Sequence, residues 1–293
     1  MNARDRALAV VMTLIWGTNF VVIDAGMHGI PPLLFAALRF VFVALPLVFF
    51  VPRPAVRWQA VVAIGTFMFA GQYGFLYLAM ANGLPAGLAS LVLQLQVPLT
   101  VVFATAALKE RPRMPTILGI ALGAVGLAII AAGRSSDVPM GALALCGGGA
   151  ISWAVGNVIA RATRAPGGFP LTIWAALVPP IPLFALAMLV DGPTKISNGF
   201  SHFGLAAIAS TAFTVVLSTI VGFSIYNGLL RRHAASTVVP WVLLVPPFGI
   251  LAAAVFLGER PSAPELAGGL VLIAGAWLAQ RSPKTVVPQL VSE

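Results

Sequence analysis

Ten of the polar, aromatic or charged side chains within the apolar runs of this 293-residue chain have types and spacing that suit them to binding a small molecule. Trp16 and Asn19 are three residues apart and share one helix face, as do Trp153 and Asn157, four apart. Tyr73 and Tyr77 stack on one face beside Gln72, Gln94 precedes Pro98 by one turn, and Tyr226 sits alone in a later run. Aromatic faces give apolar contact, and amides bind ammonium and carboxylate groups. Arg39, the single cation within a run, carries a fork that can hold a carboxylate through two bonds. Two structural alternatives stay open: interhelical packing for the neutral groups, and backbone carbonyls as partners for Arg39.

Catalysis has little to work with. His28, His202 and His233 lie in or beside connectors far apart in the chain, and no Gly-x-Ser-x-Gly or His-x-x-Glu-His pattern occurs. The lone cysteine, Cys146, rules out an intramolecular disulfide or a cysteine metal cluster. The expectation is a protein that is not an enzyme, with no cofactor and no metal.

Those residues must be held by elements that suit a bilayer. At 59% hydrophobic and 9% charged residues, with a mean hydropathy of +0.99, the chain carries far more apolar surface than a soluble globule can hide. The net charge of +9 comes in ones, twos and threes between apolar runs, which reads as a topology signal and not as a nucleic-acid surface. Runs of about 20 apolar residues fall near 7–24, 32–51, 59–80, 87–107, 115–133, 139–160, 170–190, 203–229, 235–257 and 264–280. The run after Arg4 and Arg6 has no small-residue cleavage site and reads as a first membrane helix, not a signal peptide. Starting from a cytoplasmic N-terminus, thirteen Lys and Arg residues fall inside and only Arg134, Lys195 and Arg260 outside. Both termini are therefore expected in the cytoplasm.

Residues 108–112 read Leu-Lys-Glu-Arg-Pro, and 257–261 read Leu-Gly-Glu-Arg-Pro. The same shift of 149 places Tyr77 on Tyr226, Ala86 on Ala235, Pro98 on Pro247, Glu110 on Glu259, Gly119 on Gly268 and Gly126 on Gly275. The pattern predicts an all-α membrane protein of ten helices in two five-helix repeats, 1–134 and 135–293. Five is odd, so the second copy enters the membrane inverted, an arrangement found in secondary transporters. Trp16-Gly17-Thr18-Asn19-Phe20, Leu38-Arg39-Phe40, the Glu-Arg-Pro corners and the five-plus-five pattern resemble the EamA family of the drug/metabolite transporter superfamily. Within it, the chain is most similar to bacterial exporters of amino acids and related metabolites, including the YddG-like proteins. The resemblance implies a multi-pass bundle in the bacterial inner membrane that exports small metabolites by alternating access.

Further expectations concern motion and coupling. Pro98 and its mate Pro247 are the hinge candidates, with static kinks as the alternative. Gly119, Gly123 and Gly126, matched by Gly268 and Gly275, mark helices that approach closely as a scaffold or as a dimer face, so the protein is a monomer or a homodimer in lipid. No acid is placed at mid-membrane: seven of the eight are read as lying in loops, tails or helix ends and Asp24 near the outer end of a span, which favours facilitated diffusion or exchange over proton coupling. The leading reading is an amino-acid and metabolite exporter with a central cavity. The alternatives are the same fold carrying drugs or other metabolites, or a channel-like facilitator.

Overall fold

The computed structural model describes residues 1–109, 114–133, 138–165, 168–233 and 235–280, and these are helical, without strands. Among the described residues eight helices are long and apolar enough to cross a membrane: α1 (Ala3–Met27), α3 (Trp58–Ala81), α4 (Ala86–Leu108), α5 (Met114–Gly133), α6 (Met140–Ala162), α7 (Phe169–Ser201), α8 (Leu205–Arg232) and α9 (Val239–Phe256). Two shorter apolar helices, α2 (Pro32–Val48) and α10 (Ala263–Gln280), fall in the places of the second and tenth runs. The first Glu-Arg-Pro corner, Arg134, Asp137, Arg281, Lys284 and Glu293 lie outside the described residues.

Local chemistry sets the helix ends. Asn2 caps α1 by accepting from the Asp5 amide at 2.8 Å. Ser262 and Glu265 form a capping box at α10: the Ser262 hydroxyl accepts from the Glu265 amide at 3.3 Å, and the Glu265 carboxylate accepts from the Ser262 amide at 2.7 Å. Asp5 is buried in the first turn of α1, where its carboxylate pairs with Arg232 and His233, each at 2.7 Å. That cluster fastens the start of α1 to the end of α8.

Several helices are irregular inside, and the irregularities recur. Gly65–Gly71 in α3 and Phe213–Val221 in α8 are π-helical. Shifting the first by 149 residues lands on 214–220, within the second. Leu93–Leu95 in α4 and Val239–Leu244 in α9 are 3₁₀ turns related by the same shift. Each 3₁₀ turn precedes a hinge candidate, because Pro98 and Pro247 have no amide proton to give the carbonyls of Gln94 and Leu243. The α7 run departs from expectation. It breaks after Ala175, resumes at Pro180 and continues to Ser201 past a kink at Gly192, where φ is 76°. The Pro179-Pro180 pair interrupts the ladder, and Gly192, outside helical geometry and followed by Pro193, separates two helical segments.

Helices α5 and α10 pack backbone to backbone. A Cβ built on Gly126 would lie 2.6 Å from the Leu272 nitrogen, and one on Gly275 would lie 2.6 Å from the Gly123 nitrogen. The glycine rows therefore face each other within the chain, as a scaffold. The second Glu-Arg-Pro corner is also built into the fold. The Glu259 carboxylate accepts from the amides of Ala86 at 2.7 Å and Gly87 at 3.0 Å, covering the otherwise orphaned N-terminus of α4. Burial raises the pKa of this carboxyl while the two amides pull it back. Glu259→Ala is expected to lower stability by about 1–3 kcal/mol, since it strands two part-buried donors. The thermal midpoint of detergent-purified protein measures this, and an unchanged midpoint would refute the capping role.

Candidate functional site

A cavity of about 600 Å³ lies at the centre of the bundle, within the ordinary range for ligand pockets. Both chain halves build its walls. On one side Trp16 of α1 packs against Phe223 and Tyr226 of α8, with ring centroids at 5.3 and 5.6 Å, and its indole N–H donates to the Ser218 carbonyl at 2.9 Å. On the other side Tyr73 and Phe69 of α3 and Trp153 of α6 make an aromatic wall, with Phe69 and Trp153 centroids 6.3 Å apart. The π-helical segments contribute Met68, Phe69 and Ser218 to this lining, so the widened turns sit where the cavity is.

Amides and hydroxyls supply the polar groups: Asn19, Gln72, Gln94, Gln96, Asn157 and Asn227 line the cavity with Ser90, Thr100 and Thr172. Asn157 donates to the Thr100 hydroxyl at 3.2 Å, and Asn19 accepts from Thr214 at 3.3 Å, so these two are already engaged. Gln72 and Gln94, only 6% and 3% exposed, each keep one amide atom without a partner. Leaving such a group unmet costs about 1–3 kcal/mol, and rotation about the last torsion can turn either amide atom toward a ligand. Among the described residues no charged side chain lines the cavity.

The lining reaches Ala165, Gly168, Leu230 and Val239 at the end of the bundle where α1 begins, and stops at Leu76, Ser90 and Val245 toward the other end. Alongside that end of the lining α1, α4 and α9 close on one another. A Cβ on Gly17 would lie 2.8 Å from the Gly249 nitrogen, and one on Gly249 would lie 2.6 Å from the Ser90 hydroxyl. Glu259 on the α4 N-terminus lies past this crossing.

The EamA-like transporter family matches residues 6–132 and 140–280. The chain belongs to that family. A probable amino-acid metabolite efflux pump of Salmonella typhimurium strain LT2 is 36% identical over 284 residues, covering 95% of each chain. A protein of the same description from Escherichia coli K12 is 35% identical over 285 residues, again with 95% of each chain covered. A solved crystal structure of an 18% identical protein shares the fold, with a TM-score of 0.58 over 95% of this chain and 98% of the other. This EamA-like protein is a transporter and not an enzyme, and it is a multi-pass protein of the inner membrane.

Of the ten residues singled out in the sequence, Trp16, Asn19, Gln72, Tyr73, Gln94, Trp153, Asn157 and Tyr226 line the cavity, whereas Arg39 and Tyr77 do not. Those two are 3% and 1% exposed and lie behind the wall, where Arg39 donates to the Tyr77 hydroxyl at 3.4 Å and to that of Tyr73 at 3.5 Å. Ser210 of α8 joins that helix to α1, donating to the Val22 carbonyl at 2.6 Å. Asn227 and Thr100 escaped notice in the sequence. Asn227 follows a conspicuous tyrosine, and the role of Thr100 emerges only once α6 brings Asn157 beside it.

Proposed function

We propose that this EamA-like protein exports amino acids and related small metabolites from the cytoplasm by alternating access around the central cavity. The observation that carries the reading is a cavity whose described lining bears no charge, walled by aromatic rings and amides from both chain halves. Such a surface suits a solute with an apolar side chain and a compact polar head that carries no net charge. The descriptions of the two efflux-pump relatives point to the same solutes.

Three further parts of the reading go together. Ten spans form two inverted five-helix repeats, 1–134 and 135–293, supported by the paired π and 3₁₀ segments. Both termini are cytoplasmic by the excess of Lys and Arg, so the cavity opens inward in this conformation and the α1–α4–α9 crossing closes the outer side. Exchange between the two states bends the chain at Pro98 and Pro247, where the 3₁₀ turns already interrupt the helical ladder.

The test is counterflow in reconstituted liposomes loaded with unlabelled amino acids, following entry of labelled methionine. Saturable accumulation is expected with neutral amino acids and not with lysine or aspartate. Export of drugs or unrelated metabolites through the same fold would instead give no accumulation with any amino acid, and a channel-like facilitator would give uptake without counterflow. No carboxylate lines the cavity among the described residues, so net methionine flux into liposomes without internal substrate is expected to move no stoichiometric proton. An alkalinisation matched to that net flux, read by an entrapped pH dye, would refute uncoupled transport.

A further inference from the structure

Arg39 is a guanidinium buried in an apolar interior without an anion. None of the described carboxylates pairs with it. Its bonds to the hydroxyls of Tyr77 and Tyr73 are long, at 3.4 and 3.5 Å, and its Nε has no partner. Burying a charge against phenols alone is unfavourable, and a helix-to-helix tie between α2 and α3 needs no charge. The position of the charge relative to the cavity is informative. The guanidinium carbon lies 4.2 Å from the centroid of the Tyr73 ring, and Tyr73 lines the cavity. Phe40, at 5.2 Å from Tyr73, and Phe69, at 5.7 Å from Phe40, continue the partition between Arg39 and the cavity.

A unit charge behind one ring acts on a cavity whose described lining has no charge to oppose it. At about 8 Å and an effective dielectric of about 20, Coulomb's law gives a bias of roughly tenfold or more between an anionic and a neutral group at the Tyr73 wall. We infer that Arg39 is a positioning residue: acting through the Tyr73 ring, it selects solutes that bear a carboxylate and turns that carboxylate toward α3. The Trp16 and Tyr226 wall then receives the remainder of the solute. This rests on the amino-acid reading and adds to it which end of the solute is recognised and where.

The test compares methionine with methioninamide, of nearly the same shape, as competitors of labelled methionine counterflow. The readout is the ratio of their half-inhibitory concentrations. Wild type is expected to favour methionine by roughly tenfold or more. Arg39→Lys keeps the charge without the fork and should keep most of that preference, whereas Arg39→Met should bring the ratio near one. Tyr77→Glu places a carboxylate beside the guanidinium and should also flatten the ratio, which keeps the inference testable if Arg39→Met does not fold. A purely structural Arg39 predicts otherwise: Lys and Met variants would lose both competitors alike, with the ratio unchanged. An unchanged ratio in Arg39→Met or in Tyr77→Glu overturns the inference while leaving the amino-acid reading intact. Wild type that exchanges neither compound overturns both.

Discussion

Replacing Gly126 with leucine is expected to abolish the folded, monodisperse protein. A Cβ at this position meets the Leu272 nitrogen at 2.6 Å and the Gly268 carbonyl oxygen at 2.7 Å, both backbone atoms that no rotamer change can move aside. Only separating α5 from α10 relieves the clash, and that opens the whole seam in which Gly119, Gly123, Gly268 and Gly275 take part. Overpacking a well-filled interior costs about 1–3 kcal/mol even where side chains can yield. A backbone-to-backbone obstruction belongs above that range, among the exceptional destabilisations of about 4 kcal/mol or more. Gly147→Leu in α6 is the control, because a Cβ there meets nothing within 4 Å, and its thermal midpoint in detergent should stay close to wild type. If Gly126→Leu elutes as wild type does and keeps its midpoint, the seam does not hold the scaffold together.

The second large effect is on transport. Trp153→Ala removes one aromatic wall of the cavity and is expected to raise the half-saturating methionine concentration about tenfold, since an aromatic contact is worth about 0.5–1.5 kcal/mol beyond the area it buries. Tyr226→Ala should act similarly from the other wall. Neither change should abolish folding, because both side chains are only partly buried against the core and face the cavity. Tyr77→Ala provides the contrast. That side chain is 1% exposed and bonded to Arg39, so its loss strands a buried donor and should lower the thermal midpoint. A Trp153→Ala protein with unaltered saturation would remove this cavity from the transport route.

How much of the site was legible follows from helical spacing. Trp16 with Asn19, and Trp153 with Asn157, share faces because 3.6 residues make a turn, so each pair can be read as a unit without knowing its neighbours. The same logic found Gln72, Tyr73 and Gln94. It failed to separate Tyr73 from Tyr77, which share a face. Tyr73 lines the cavity while Tyr77, one turn along, is sealed against Arg39. Periodicity reports which residues share a stripe, and only the neighbouring helices decide where along that stripe the cavity ends.

By itself the sequence determined that the chain is helical, apolar and repetitive, because hydropathy and the 149-residue correspondence depend on residue type and order alone. It also marked the glycine rows as close-packing faces. Tertiary structure decided that these rows face each other in one chain, that Glu259 covers the start of α4 across 173 residues of sequence, and that Arg39 stands behind a tyrosine ring and not in the cavity. Each of these depends on which helices are neighbours and how closely they approach. Backbone contacts of that kind leave no periodic trace in any single helix, so the packed bundle alone could reveal them.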